Sequence, residues 1–286
     1  FEMNNGCVCC TVRGDLIRVV SGLMKRKGGF DAIIIETTGL ADPGPVAQTF
    51  FVDEDVRAKT QLDSVTTVVD AKHLPLRLAD SKEAAEQVAF ADQIILNKTD
   101  LVTEAELAEV ERLIRGLNPL APIHRAQRSN VPLDQVLGRG SFDLGRIEAI
   151  EPDFLNPAHG EAGHVHDDAC DHDHHDHDHH PHDHGIEASG IRGISLTAHR
   201  PLNANKVTAW LNEVLQTQGP DILRAKGILD VAGEDRRLVF QAVHMILEGD
   251  FQGSWRDGAE RYSRLVFIGR NLDEAKLREG FEATVA

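Results

Sequence analysis

Three cysteines lie within four consecutive positions near the beginning of the sequence: Cys7, Cys9 and Cys10. Cys7 and Cys10 make a C-x-x-C spacing, which lets two thiolates converge on one soft cation, and Cys9 adds a third candidate ligand. The alternatives are disulfides or small buried hydrophobic residues. The only other cysteine of the 286 residues is Cys170. Crowding beside Gly6 in such a long, cysteine-poor chain favours a metal site in a reducing compartment.

A second region with metal-binding chemistry is the segment 163–185, which contains ten His and seven Asp and almost nothing apolar. Such a segment cannot bury enough surface to offset the entropy of ordering, so we predict a solvated linker. Neutral imidazoles with interleaved carboxylates suit Zn²⁺, Ni²⁺ or Co²⁺ in many weak, interchangeable sites. The alternative is a segment that only keeps the protein soluble. Metal capture is favoured because Asp alone would serve solubility.

The charge distribution excludes one class of partner. Residues 148–190 hold twelve Asp/Glu and no Lys/Arg, and so carry −12 of the net charge of −16. The rest of the chain is close to balanced, and no basic footprint for nucleic acid is present. The sequence also shows neither a signal peptide nor an apolar run of membrane-spanning length. We therefore expect a cytoplasmic protein with no nucleic-acid and no membrane partner.

Polar residues that follow apolar, β-branched runs supply the remaining chemistry. The run "IIIETTG" ends in Glu36 and continues to Gly39. In nucleotide-binding proteins an acid at such a position holds Mg²⁺, and a glycine N–H contacts the terminal phosphate. The pattern is short and not specific by itself.

The run "IILNKTD" is more specific. Asp100 could accept both N–H groups on the guanine edge, a charge-assisted pair that adenine cannot reproduce. Asn97 would brace the loop and read the acceptor side of the base, and Lys98 would lay its stem over the ring. A polar strand end that opens a helix would explain Asp100 but not the whole quartet. The motif therefore predicts guanine binding.

The elements that must position these residues alternate between strand and helix patterns. The runs 31–39, 63–71 and 92–100 have the apolar, β-branched composition of strands covered on both faces. Helical patterns cover 15–28, 81–91 and 104–116, and Thr103 with Glu106 fits a capping box at the start of the last. We predict an α/β fold with a doubly wound, mostly parallel sheet, whose chemistry lies at the carboxyl ends of its strands.

The C-terminal region has a different pattern. Strands are predicted at 190–199, 236–247 and 263–271, and helices at 205–216 and 272–285. This order predicts an α+β domain with one antiparallel sheet and helices on one side. Trp210, Trp255, His199 and His244 are interpreted as core or surface residues. The predicted domains are 1–147, a disordered linker at 148–189, and 190–286.

One part of a nucleotide site is missing from the sequence. No G-x-x-x-x-G-K-[ST] loop occurs in the 286 residues, so the backbone cradle and lysine for the β- and γ-phosphates are absent. We expect a βα unit of about 30 residues before Phe1 in a longer parent protein. The chain as it stands should then bind GTP poorly, and any GTPase activity should belong to the parent.

The stretches "GCVCC", "ETTGLADPGPV" and "NKTD", the His-rich insert and the region after it together resemble the CobW family of P-loop GTPases. The resemblance implies a nucleotide domain with a C-x-C-C motif, then a smaller CobW C-terminal domain. It also implies a GTP-dependent metallochaperone or metal-insertion factor for zinc or cobalt. The site residues that it implies are Cys7, Cys9 and Cys10 for metal, Glu36 and Gly39 for the switch, and Asn97, Lys98 and Asp100 for the base.

Three thiolates leave a tetrahedral ion one ligand short, which suits an ion in transit. His73, just after a predicted strand, is a candidate for the extra ligand, and an ordinary surface histidine is the alternative. The thiols precede the "ETTG" switch in sequence. We therefore hypothesise that metal binding and nucleotide binding are coupled, and that hydrolysis releases the ion.

Three functions follow from these residues. The first is a GTPase that uses GTP, Mg²⁺ and Zn²⁺ (or Co²⁺) and delivers the metal to a client metalloenzyme. The second is a His-rich metal storage or buffer protein without a nucleotide cycle. The third is a cobalt-insertion factor for cobalamin synthesis. GTP and the client are the expected partners, and a homo-oligomer is left open.

Overall fold

The computed structural model describes residues 10–26, 29–146, 154, 189–255, 258 and 260–286. Cys7, Cys9 and the His/Asp-rich segment 163–185 therefore lie outside the described residues. The predicted domain boundaries at 147 and 190 also stay a prediction.

The N-terminal part is built from short parallel strands and the helices that connect them. Its sheet has the order β1-β2-β3, and both neighbouring pairs are parallel. This arrangement confirms the predicted α/β class. The elements are α1 Cys10–Met24, α2 Gly44–Val52, α3 Glu54–Arg57, β1 Thr66–Asp70, α4 Leu74–Asp80, α5 Lys82–Phe90, β2 Gln93–Asn97, α6 Glu104–Leu117 and β3 Ile123–Arg125.

The prediction of a buried strand over residues 31–39 was wrong. Residues 32–38 have no regular secondary structure, and Ile34 and Ile35 are 79% and 38% exposed. A strand of this kind needs a hydrogen-bonded neighbour and a cover on both faces. Among the described residues β1 is the edge of its sheet, and its Val68 is 59% exposed. The apolar composition of the run was therefore not sufficient to make a strand.

Helix α6 begins as predicted. The hydroxyl of Thr103 accepts a hydrogen bond from the Glu106 N–H at 3.3 Å, and the Glu106 carboxylate accepts one from the Thr103 N–H at 2.7 Å. The predicted capping box is thus confirmed, and it satisfies two N–H groups that a helix start leaves without partners. The buried face of the helix consists of Leu107, Val110, Leu113, Ile114 and Leu117.

The C-terminal part is a five-stranded antiparallel sheet with two helices. The strand order is β4-β8-β5-β6-β7. The predicted α+β arrangement is confirmed, with Trp210 and Trp255 buried in the core. The elements are β4 Ile191–Ala198, α7 Ala204–Gln218, β5 Ile222–Leu229, β6 Arg236–Val243, β7 Ile246–Ser254, β8 Ser263–Arg270 and α8 Glu274–Glu282.

Two features of this sheet differ from the sequence prediction. Residues 236–247 are not one strand, because the chain turns at His244 and Met245 and returns as β7. His244 takes a left-handed backbone conformation with φ of 50°, which the sequence does not signal with a glycine. Strand β5, in the middle of the sheet, was not predicted at all.

The two faces of the C-terminal sheet are covered by different parts of the chain. One face packs against α7 and α8 through a core that includes Trp210, Phe267 and Phe281. The other face contributes Val239 and Val266, with their neighbours, to the same core cluster as Phe90 and Leu113 of the N-terminal part. The described parts of the two domains therefore share one continuous apolar core.

A buried ion pair crosses this shared core. Asp92, directly before β2, pairs with Arg224 of β5, and Lys226 Nζ lies 3.7 Å from the same carboxylate oxygen. The Asp92 carboxylate also accepts a hydrogen bond from the Val65 N–H at 2.9 Å. The Asp92 and Arg224 side chains are only 1% and 3% exposed. Because neither charge reaches water, each depends on the other for compensation.

Replacing Asp92 by Ala should lower the free energy of unfolding by about 3–5 kcal/mol, because the buried guanidinium of Arg224 loses its charged partner. Urea unfolding followed by circular dichroism measures this loss. Asp235→Ala is the matched control, because Asp235 pairs with Arg261 but is 89% exposed. The control should change stability far less. Equal effects of the two substitutions would show that the buried pair does not hold the domains together.

Candidate nucleotide site

The predicted base-binding residues lie where two parallel strands end. Asp70, the last residue of β1, is in register with Asn97, the last residue of β2. Leu96 of β2 is in register with Arg125 at the end of β3. The carboxyl ends of all three described parallel strands therefore meet at one edge, where ligands bind in doubly wound sheets.

The side chain of Asn97 holds the loop that follows β3. Its Nδ2 donates to Ser129 Oγ at 2.9 Å, and its Oδ1 accepts from the Ser129 N–H at 2.8 Å. Arg128 and Ser129 both have left-handed backbone conformations, with φ of 51° and 55°. The two bonds from Asn97 stabilise this strained turn, so the β2 and β3 loops form one unit.

Lys98 spans from the end of β2 to the end of β1. Its backbone is left-handed with φ of 61°, and its Nζ donates to Asp70 Oδ2 at 2.7 Å. Asp70 also accepts from His73 Nδ1 at 3.0 Å and from the Lys72 N–H at 3.0 Å. The ammonium of Lys98 is therefore fixed at one point, and its aliphatic stem is left to contact a ligand.

The ionisation of Asp70 keeps this arrangement in place. Partial burial raises the pKa of Asp70, but the hydrogen bonds from Lys98 and His73 outweigh it and hold the pKa at about 2. Asp70 is thus a carboxylate at neutral pH and a permanent partner for the Lys98 ammonium.

Asp100 lies in the short 3₁₀ turn Thr99–Leu101 beside the same loop. The turn is anchored by the Thr99 hydroxyl and N–H, which donate to the Ala126 carbonyl at 3.1 and 3.2 Å. The Asp100 carboxylate is exposed, and within the described parts of the chain no hydrogen bond occupies it. It is therefore free to accept two hydrogen bonds from one ligand edge.

Glu36 and Gly39 lie in residues 36–44, which we call the switch segment. Both are exposed. Gln87 of α5 donates from Nε2 to the Thr38 carbonyl at 3.2 Å and to the Ala41 carbonyl at 2.9 Å. This clamp fixes the middle of the segment to α5, while Glu36 and Gly39 are exposed to solvent.

The candidate metal ligands are only partly described. Cys10 is the first residue of α1, and Cys7 and Cys9 precede it outside the described residues. His73 stands before α4, and its Nδ1 contacts Asp70. Within residues 10–146 and 189–286, apart from their undescribed positions, no group of three or more His, Cys, Asp or Glu is arranged for a metal ion. The metal site of Cys7, Cys9, Cys10 and His73 therefore stays a prediction.

Three residues at this edge were not predicted from the sequence. Asp70 ends a predicted strand, so the strand-end argument that found Asp100 could have found it too. Ser129 and Gln87 carry no local signal, because their contacts with Asn97 and the switch segment span 32 and at least 46 residues of sequence.

No helix among the described residues has the length and apolarity needed to cross a bilayer.

Comparison with known proteins gives matches over both parts of the chain. Residues 1–125 match the "CobW/HypB/UreG, nucleotide-binding domain", and residues 191–285 match the "Cobalamin synthesis protein cobW C-terminal domain". Zinc chaperone YjiA of Escherichia coli strain K12 is 31% identical over 98% of this chain and 80% of its own length. Zinc chaperone CobW of Sinorhizobium sp is 31% identical over 100% of this chain and 80% of its own.

Two further matches concern GTPases. Zinc-regulated GTPase metalloprotein activator 1 of Schizosaccharomyces pombe is 43% identical over 42% of this chain and 30% of its own length. The crystal structure of Zn(II)-bound YjiA GTPase from E. coli superposes with a TM-score of 0.74 at 28% identity, covering 95% of this chain and 76% of that one. The combination of these matches with the strand-end site shows that the chain belongs to the CobW family of P-loop GTPases, with a nucleotide-binding domain followed by a CobW C-terminal domain.

Proposed function

We propose that this chain belongs to a GTP-dependent metallochaperone, which couples GTP hydrolysis to the binding of Zn²⁺ and its delivery to a client metalloenzyme. The observation that carries the proposal is the exposed carboxylate of Asp100, held beside Lys98 and Asn97 at the carboxyl edge of the sheet. A metal buffer without a nucleotide cycle has no use for such a base-selective acceptor. The names of the zinc-chaperone relatives support zinc as the cargo.

The base end of the site fits guanine. Guanine presents two adjacent N–H donors, and the free carboxylate of Asp100 can accept both. Adenine lacks this pair of donors, so its binding would leave the carboxylate unsatisfied. Lys98, fixed through its ammonium to Asp70, would cover one face of the ring with its stem. Asn97 would keep the β3 loop beside the base through its two bonds to Ser129.

The phosphate end of the site lies on the switch segment. The groups available there are the carboxylate of Glu36 and the backbone N–H of Gly39, and both residues are exposed. A carboxylate suits Mg²⁺, which is commonly held by one or two carboxylates plus phosphate oxygens. When bound, Mg²⁺ would neutralise charge that develops on the phosphates. Gln87 holds the Thr38 and Ala41 carbonyls, which leaves the chain on either side of this clamp to respond to the nucleotide.

The thiols are connected to the switch segment by packed helices. Cys10 opens α1, so this helix follows the cysteine cluster directly in sequence. Leu16 and Val20 of α1 then pack with Val56 of α3 and partly buried residues of α2 in one cluster. Since α2 begins at the end of the switch segment, a movement of that segment can displace α1 and the thiols with it.

Replacing Asp100 by Asn should weaken guanine-nucleotide binding by about 2–3 kcal/mol, because an amide presents donors to the donors of the base. Titration of a fluorescent GDP analogue into the parent protein that carries the phosphate loop measures the change. Xanthosine diphosphate has an acceptor in place of the guanine amino group, so it should bind the variant better than GDP does.

Asp134→Asn is the matched control for this substitution, because Asp134 is also an exposed residue in the middle of a 3₁₀ turn. The control should bind GDP like the unmodified protein. Unchanged GDP affinity in the Asp100 variant would show that this carboxylate does not read the base.

Replacing Cys7 by Ser should lower Zn²⁺ affinity by at least about tenfold, because a hydroxyl is a poor substitute for a thiolate ligand. Metal stimulation of GTP hydrolysis should fall with it. Both are measured in the parent protein, by competition with a chromogenic chelator and by phosphate release. Cys170→Ser, outside the cysteine cluster, should leave the stimulation intact. If the Cys7 variant kept both its affinity and its stimulation, the thiols would not be the coupled metal site.

A further inference from the structure

The turn between β6 and β7 of the C-terminal domain contacts the switch segment directly. The imidazole of His244 occupies the space that a side chain on Gly44 would need. A Cβ atom placed on Gly44 would overlap His244 Nε2 and would lie 2.8 Å from Cδ2, a distance that real Cβ atoms do not reach. Gly44 is the last residue of the switch segment and the first of α2. The absence of a side chain there is therefore required by the histidine.

The polar groups around Gly44 converge on the same point. The Gly44 N–H donates to Asp42 Oδ1 at 2.8 Å, and that oxygen would lie 3.1 Å from the same Cβ position. His244 Nε2 is buried and has no hydrogen-bond partner among the described residues. A buried nitrogen without a partner is costly, and the space between it and Gly44 is too small for a side chain.

The surroundings of His244 favour its neutral form. Burial lowers the pKa of His244, Arg270 and Arg224 lower it further, and only Asp42 acts in the opposite direction. The ring lies 5.9 Å from the ring of Phe90 on α5. The contact with Gly44 is therefore a packing contact of a neutral ring, wedged between α5 and the start of α2.

The turn that carries His244 is attached to the body of the C-terminal sheet. Its N–H donates to the Leu223 carbonyl at 3.3 Å, next to the Arg224 that pairs with buried Asp92. A second contact joins the same hairpin to the N-terminal domain, because Arg57 of α3 lies 3.7 Å from Glu248 of β7. The hairpin thus contacts the helix pair α2–α3 at two places, the buried start of α2 and the exposed end of α3.

We propose that His244 is a positioning residue for the switch segment. Through this side chain, the C-terminal domain holds the start of α2 and responds to nucleotide-dependent changes in the position of α2. The inference rests on the proposed function, since it requires that residues 36–44 respond to GTP. By linkage, a contact that differs between the GTP and GDP states must favour one of them, and that state must in turn favour the contact. The C-terminal domain would thereby sense the nucleotide without touching it.

The test introduces a steric clash between Gly44 and His244 and then removes it with a second substitution, in the parent protein that carries the phosphate loop. Gly44→Ala should displace the switch segment and lower kcat for GTP hydrolysis by at least about tenfold, with KM changed less than about twofold because the base site is elsewhere. His244→Gly removes both the Nε2 and the Cδ2 atoms, and glycine readily adopts the left-handed backbone of the turn. Adding it to Gly44→Ala should restore kcat to within about threefold of the unmodified protein.

Gly22→Ala is the matched control, because Gly22 is also a helical glycine, but no described neighbour outside its own helix backbone lies within 4 Å of the position that a methyl group would take. It should leave kcat unchanged. If Gly44→Ala hydrolysed GTP normally, or if the double variant stayed as impaired as the single one, the inference would be overturned while the proposed function stood. If the unmodified parent neither bound nor hydrolysed GTP, the proposed function would fail first and the inference with it.

Discussion

The buried carboxylate of Asp92 fixes the geometry on which the candidate site depends. It accepts a hydrogen bond from Val65, just before β1, and stands itself directly before β2. Its other oxygen pairs with Arg224 in the middle region of the C-terminal sheet. One side chain thereby sets the starts of two strands and the position of the second domain. At about 3.3 Å per residue, the other ends of these strands lie about 16 Å away, where Asp70 and Asn97 meet.

The ion pair also joins the two domains across the core that their described residues share. Removing two cations and a carboxylate from water is unfavourable unless they remain paired. Separation of the domains would break this pairing and is therefore opposed by it. The guanidinium of Arg224 also lies 4.4 Å from the Phe142 ring, which further fills the interface. Such an interface favours rigid transmission of small displacements over free movement of the domains. The His244 turn lies at the edge of this interface, against the switch segment.

The sequence predicted those elements whose signals are local. Strands β1 and β2, the capping box of α6 and the helices α7 and α8 follow from short-range pattern and were found. Strand β5 was missed because Arg224 and Lys226 interrupt its apolar run. Both are nonetheless buried, since Asp92, 132 residues from Arg224 in sequence, compensates them. The prediction for residues 31–39 was wrong in the opposite direction. Their composition suits a strand, but no described strand pairs with them.

The candidate site shows the same division. The motif at Asn97, Lys98 and Asp100 could be identified from residue types that follow a strand, and the structure gives the contacts that hold each one. The contacts of Asn97 with Ser129, of Gln87 with the switch segment, and of His244 with Gly44 depend on tertiary proximity. His244 was interpreted only as a core or surface residue, since a single histidine in an apolar run gives no indication of what it faces. The histidine ring that occupies the space beside Gly44 is distant in sequence, so this contact can be recognised only in the three-dimensional structure.

The central claim is that the metal site and the nucleotide switch are energetically coupled. The most direct test is a competition titration of Zn²⁺ affinity in the parent protein, once with a non-hydrolysable GTP analogue and once with GDP. The account predicts at least about a tenfold difference, which corresponds to about 1.4 kcal/mol of coupling free energy. Equal affinities in the two nucleotide states would contradict it, and would instead indicate a metal-binding protein whose sites are independent of the nucleotide.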